Sequence, residues 1–189
     1  MKNSFPMLNN EHTEAMMRGT WGRSQERDRK MMVFLLKTGL KVMEFVNLNV
    51  EDVFSGKRMR KNLLITDRIG KNERKIPLDR EAREAAAVIL EFNRRQGFNL
   101  DPLEPLMISR QRNKKDGSYR ITPRQVQRII KTLREEADLS FKTTPQTFRH
   151  TYAKSLIDSG MDLRSVQKML GHRSIKTTRD LYGEIQAMP

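Results

Sequence analysis

A chain of 189 residues suits one domain of ordinary size, large enough to bury a real core. Its 37 Lys plus Arg against 23 Asp plus Glu leave a net charge of +14, which favours an anionic polymer as partner, with nucleic acid ahead of a membrane surface because no long basic amphipathic helix can be traced. Cysteine is absent, which excludes disulfides and thiolate metal sites and fits a cytoplasmic (in a prokaryote, nucleoid-associated) protein, and apolar runs such as residues 31–36 are far too short to span a bilayer.

In chain order, residues 1–23 read as a polar arm or linker, either frayed or forming a short helix, with Trp21 as a packing anchor and His12 as an exposed bystander. A helix is predicted from Ser24, with Met32, Leu35 and Leu36 on its apolar side and Gly39 ending it. Val42, Phe45 and Val46 give the inward face of a second helix. Residues 50–77 read as β structure, with Leu63-Leu64-Ile65 and Ile76-Pro77-Leu78 flanking a charged hairpin turn. Residues 79–98 read as a helix with Ala85, Val88, Ile89 and Phe92 on one face. Residues 102–117 are loop-like and hold a basic run at 110–115, either a DNA-contacting loop or a solvated one. Thr122-Pro123 opens a further helix that turns Val126, Ile129, Ile130 and Leu133 inward and leaves Arg124, Arg128, Lys131 and Arg134 on its polar sides.

The last stretch, from Thr143 to Tyr182, reads as three short helices with two sharp breaks. Thr144 and Pro145 start the first, which carries Phe148, Tyr152, Leu156 and Ile157 at helical spacing and ends at Gly160. Asp162 caps the second, with Leu163, Val166 and Leu170 on one face and Gly171 as its stop. The third begins near Ser174 and carries Tyr182. The polar residues that remain, Arg149, His150, His172, Arg173 and Tyr182, are an unusual set for a plain surface.

This order of motifs resembles the tyrosine recombinases of the phage integrase family. Their His-x-x-Arg-His box reads here Gln146-Thr147-Phe148-Arg149-His150. Leu170-Gly171-His172 and the Ser174-Ile175-Lys176-Thr177-Thr178 run then lead to Tyr182. Upstream, Thr38-Gly39-Leu40-Lys41 and Glu44 are similar to a family stretch in which arginine stands at the Lys41 position. Each piece alone is a weak signal, whereas the ordered set is specific. The resemblance covers about residue 24 to Tyr182. It implies a mainly α-helical domain with a small antiparallel β-sheet (α+β), followed by a short tail at 183–189.

The activity that the resemblance implies is site-specific cutting and rejoining of double-stranded DNA through a 3′-phosphotyrosyl intermediate, by a homo-multimer on DNA or together with other recombinase subunits. The bond energy stays in the covalent intermediate, so no nucleotide cofactor is expected, and no dense acidic or histidine cluster suggests a two-metal reaction. Tyr182 is the expected nucleophile. Arg149 and His172 suit the phosphate oxygens, one as a planar fork and the other as a positioned imidazole. Lys71 on the hairpin is the expected general acid, with Lys75 as the alternative. Lys41 keeps a positive charge without the bidentate fork, and Gln146 can hydrogen-bond phosphate but brings no titratable proton. For His150 a packing or capping role stands level with a chemical one, and for Glu44 orienting a neighbouring cation stands level with a solvated carboxylate. The cations expected against DNA are Arg173, Lys176, Lys75, Arg74, Arg124 and Lys142. Two other readings remain. One is a catalytically impaired relative that binds DNA and regulates recombination. The other is a helix-turn-helix regulator built on the helices from Pro145 and Leu163.

Overall fold

A computed structural model describes residues 6–18, 23–66, 70, 73–109, 111–113 and 117–186. The first element, α1 (Asn10–Met17), starts where Asn9 Oδ1 accepts from the His12 N–H at 2.8 Å and His12 Nδ1 accepts from the Asn9 N–H at 3.3 Å. The His12 ring also meets Phe141 edge-on at 5.0 Å, so it is a capping and packing residue rather than a bystander. Leu8 and Met16 reach into the core. Trp21 lies outside the described residues.

The body is built on α2 (Arg23–Thr38), which packs against α5 (Arg80–Arg95) and α7 (Pro145–Asp158). Met31, Met32, Phe34 and Leu35 are essentially inaccessible on it. Gly39 ends α2 at φ +58°, and a Cβ there would lie 2.1 Å from Tyr152 Cδ1. Both the backbone conformation and the approach of α7 therefore require glycine.

Two short helices follow, α3 (Val42–Val46) and α4 (Val50–Val53). The second corrects the expectation of β structure from residue 50: the Asn49 N–H donates to Asp52 Oδ2 at 2.7 Å and closes a single helical turn before the chain extends. The sheet is the antiparallel hairpin of β1 (Asn62–Thr66) and β2 (Glu73–Pro77), in register Leu63↔Ile76 and Ile65↔Arg74. Leu63, Ile65 and Ile76 face the core while Leu64 and Lys75 face out, the alternation a half-buried hairpin needs.

Asp79 Oδ1 accepts from the Ala82 N–H at 2.7 Å and caps α5. Thr122 and Gln125 form the capping box of α6 (Pro123–Glu136), as the sequence predicts from Thr122-Pro123. α7 starts from a Thr144–Thr147 box with Pro145 in its first turn. Asp162 caps α8 (Leu163–Leu170), Gly171 closes it at φ +65°, and α9 (Ile175–Gln186) follows. α7 joins two apolar clusters. Its Phe148 belongs to the main core, while Tyr152, Ala153 and Ile157 pack with Val166, Leu170 and Tyr182 in a second one. The fold is thus mainly helical with one small antiparallel sheet. Among the described residues no helix is long and apolar enough to cross a membrane.

Candidate active site

The polar residues of the Thr143–Tyr182 stretch converge where α7, α8 and α9 meet. Arg149 is 2% exposed. Its Nη1–H donates to the Gly39 carbonyl at 2.6 Å and its Nη2–H to the Leu170 carbonyl at 2.5 Å. Burying a guanidinium is costly unless its donors are satisfied, and these carbonyls take up two of the five. Burial pulls its pKa below the ordinary arginine value, Glu44 pulls it back up, and the group stays cationic at neutral pH.

Tyr182 is 1% exposed. Its hydroxyl lies 2.7 Å from His150 Nδ1, and the two rings meet edge-on at 5.6 Å. The His172 ring lies parallel to the Tyr182 ring, tilted by 6° at a centroid distance of 6.4 Å. His172 Nδ1 is 2.9 Å from Thr178 Oγ1, and Gln167 Nε2–H donates to the His172 carbonyl at 3.0 Å. Burial pushes the Tyr182 hydroxyl up to about 12, against the pull of the Arg149 charge. Burial and then Arg149 push His172 down to about 4, and the same two causes lower His150. Both imidazoles are therefore neutral at physiological pH.

A second cluster borders this one. Arg74 on β2 meets Glu44 on α3 with Nη1–H to Oε1 at 2.9 Å and Nη2–H to Oε2 at 2.6 Å, and its Nε–H donates to the Met169 carbonyl at 3.1 Å. Glu44 Oε2 also accepts the Lys41 N–H at 2.8 Å, which starts α3. Burial raises the Glu44 carboxyl, but hydrogen bonding and charge from Arg74 outweigh it, so the net shift is downward. Lys41 Nζ is 3.9 Å from Glu44 Oε1 on a side chain that stays 52% exposed. Burial lowers the Lys41 pKa, Glu44 opposes this, and Arg149, Arg74 and Arg173 add to it. Lys41 thus stands at the rim of a concentration of positive charge.

The predicted residues divide accordingly. Arg149, His172 and Tyr182 are gathered in one place, with Lys41 at the edge and Arg173 close enough to be felt by it. Gln146 is exposed and reaches the cluster through His150, Nε2 to Nε2 at 3.2 Å. Lys71 lies outside the described residues. Arg74 departs from the expectation of a groove contact, because its guanidinium is committed to Glu44 and Met169. Lys75, Arg124, Lys142, Arg173 and Lys176 are exposed. His150 joins the cluster through the Tyr182 hydroxyl, a contact that the Gln146–His150 box alone does not indicate. His150 lies one helical turn after Gln146, which puts the two on one face of α7.

Residues 7–187 match the phage integrase family. The chain is 34% identical over 157 residues to the tyrosine recombinase XerC of Anoxybacillus flavithermus, covering 82% of this chain and 49% of the relative. It is 32% identical over 158 residues to XerC of Thermodesulfovibrio yellowstonii, with the same coverage of 82% and 49%. The chain therefore spans about half the length of these relatives. Among solved structures, the XerA recombinase crystal structure shares its fold with a TM-score of 0.73 at 23% identity, over 95% of this chain and 60% of that one. The post-cleavage complex of XerH with palindromic difH substrate also gives 0.73, at 21% identity over 96% of this chain and 50% of that one.

Proposed function

We propose, from the premise that this chain belongs to the phage integrase family, that it is the catalytic domain of a site-specific DNA recombinase. Tyr182 Oη attacks a backbone phosphorus and the 5′-oxygen departs, leaving a 3′-phosphotyrosyl link that a partner strand's hydroxyl later reverses. Arg149 and His172 stabilise the charge that grows on the non-bridging oxygens, and Lys41 adds a point charge at the rim. Lys71 on the hairpin protonates the departing oxygen, with Lys75 as the alternative. Gln146 acts beside His150. The exposed cations Arg173, Lys176, Lys75, Arg124 and Lys142 hold the duplex. The chain works as a homo-multimer on double-stranded DNA, alone or with other recombinase subunits.

The observation that supports this most is the packing of Arg149 from α7, His172 from the turn after α8 and a phenol hydroxyl from α9 into one cluster. With Tyr182 almost fully covered, reaching phosphate requires α9 to shift when DNA is bound. The test is to select bound sites from random duplexes, nick the selected site, and look for a denaturant-resistant protein–DNA adduct. An adduct supports strand transfer.

A second reading, a DNA-binding regulator with impaired cleavage, draws on Lys41. An ammonium cannot clamp phosphate bidentately, and one lost oriented donor costs on the order of a hundred- to thousandfold in rate. Selective binding with no adduct supports it. The helix-turn-helix reading gives no account of a family match that extends over residues 7–187.

A further inference from the structure

His150 occupies a position that the phosphotyrosyl reading leaves without a role. Its Nδ1 is 2.7 Å from the Tyr182 hydroxyl, and its Nε2 is 3.2 Å from the Gln146 amide nitrogen. It is 2% exposed, and its contact with Tyr182 is made away from bulk water, whereas the one with Gln146 is only partly covered. His172 is differently disposed. Its ring is parallel to that of Tyr182, whereas an imidazole exchanges protons in its own plane, and its Nδ1 is turned to Thr178. Of the two imidazoles, His150 is the one with a ring nitrogen at the nucleophile's oxygen.

A neutral imidazole carries one N–H and one lone pair. Which nitrogen holds the proton is decided by the partner of the other one. Gln146 can offer either end of its amide, and the two ends exchange by rotation about its last torsion. With the carbonyl oxygen turned in, Nε2–H donates to Gln146 and the Nδ1 lone pair accepts from Tyr182 O–H. With the amide nitrogen turned in, as it is placed here, Nδ1–H donates to the phenol oxygen and His150 cannot take a proton, so the competent form needs a half-turn of the amide.

We propose that His150 is the general base that accepts the Tyr182 proton, and that Gln146 is the positioning residue that selects the competent tautomer. The proposal rests on the phosphotyrosyl reading. In the cleavage step the proton passes from Tyr182 Oη to His150 Nδ1 and the Oη–P bond forms. The P–O5′ bond breaks, its electron pair stays on the 5′-oxygen, and the general acid protonates that oxygen. In the reverse step His150 returns the proton to the departing phenolate. The charged and titratable groups that face His150 among the described residues include Arg149 from its own helix, His172 from the turn after α8, and Tyr182 from α9. Burial and the adjacent guanidinium keep the imidazole neutral, the form a base needs.

The test measures single-turnover adduct formation across pH on the selected, nicked DNA. Wild type is compared with His150→Asn, which keeps a polar atom near the Nδ1 position but cannot accept a proton at neutral pH, and with Gln146→Glu. Gln146 is exposed, so its variant leaves the fold intact. His150→Asn should slow cleavage by roughly a hundred- to ten-thousandfold, and its rate should climb into the alkaline range as the phenol must ionise unaided. Gln146→Glu should hold Nε2–H more firmly and move the acid limb of the profile to higher pH. Nitrogen NMR of free His150 should show Nδ1 as the unprotonated nitrogen. A uniformly slower His150→Asn with the wild-type profile, an unmoved acid limb in Gln146→Glu, or a protonated Nδ1 overturns the base assignment and leaves strand transfer standing. A wild type that binds its selected site and forms no adduct overturns both.

Discussion

Glu44 and Arg74 face each other carboxylate to guanidinium, 2.9 and 2.6 Å apart along two parallel hydrogen bonds. The pair ties strand β2 to helix α3, and through the Met169 carbonyl it reaches the end of α8. Gly171, in the turn before His172, is part of the same fit, since a Cβ there would stand 2.8 Å from Arg74 Nη1. The hairpin and the Leu-Gly-His turn are therefore held by one guanidinium.

Removing that guanidinium strands a carboxylate whose side chain is only 16% exposed. Breaking a buried pair on one side costs about 3–5 kcal/mol, and this partly covered pair belongs towards the lower end. Arg74→Ala should therefore lower the denaturation midpoint by the equivalent of about 3 kcal/mol, and Arg74→Lys should recover only part of it because the fork is lost. Unfolding curves in urea check this. A change within about 0.5 kcal/mol, typical of surface substitutions, would contradict the assigned role.

Acid should destabilise the protein in two stages. The folded pKa of His172 lies at about 4 against an ordinary 6.5, so the unfolded chain binds the extra proton between those values. Stability from this group is complete above 6.5 and is lost as pH falls towards 4. Glu44 is also depressed in the folded state, so its contribution is present above its ordinary 4.5 and is lost below that, as pH falls through the folded value. Stability measured from pH 7 downward should decline first with His172 and His150, whose pKa is also lowered, and then with Glu44. His172→Asn should make the first stage shallower and Glu44→Gln should flatten the second. A wild-type curve unchanged by either variant would contradict the assignment.

Gly39→Ala should be among the more damaging small substitutions. The left-handed backbone opposes any Cβ, and the Tyr152 ring occupies its place at 2.1 Å. Strain and overpacking together suggest a loss of about 2–5 kcal/mol. The Gly39 carbonyl also holds Arg149, so DNA cleavage should fall along with thermal stability. An Ala variant with wild-type melting would contradict the packing described.

Lys41→Arg tests whether the rim cation touches phosphate. A guanidinium there supplies the two-point grip that an ammonium lacks, and cleavage should quicken on the order of tenfold or more. An unchanged rate in a protein that cleaves measurably would place Lys41 outside the reaction.

The helix starts were legible because their chemistry is local. Thr122-Pro123, Thr144-Pro145 and Asp162 each cap a backbone N–H three residues away or less, and Gly39 and Gly171 end helices with positive φ. The single turn at Val50–Val53 was not legible, because four residues are too few to show a period. The set Arg149, His172 and Tyr182 could be gathered from motif order alone. The partners of Arg74 and His150 could not, because Glu44 is 30 positions from one and Tyr182 is 32 from the other, and contacts of that range are made by the fold rather than by spacing.

The most direct measurement is the chemical identity of a trapped protein–DNA adduct. After cleavage of the selected, nicked site, nuclease and protease digestion followed by mass spectrometry should find a nucleotide 3′-phosphate on the peptide that contains Tyr182. The adduct should be missing from a Tyr182→Phe protein that still binds the same DNA. A nucleotide on any other residue, or an adduct that persists in Tyr182→Phe, would contradict the assignment of Tyr182 as the nucleophile.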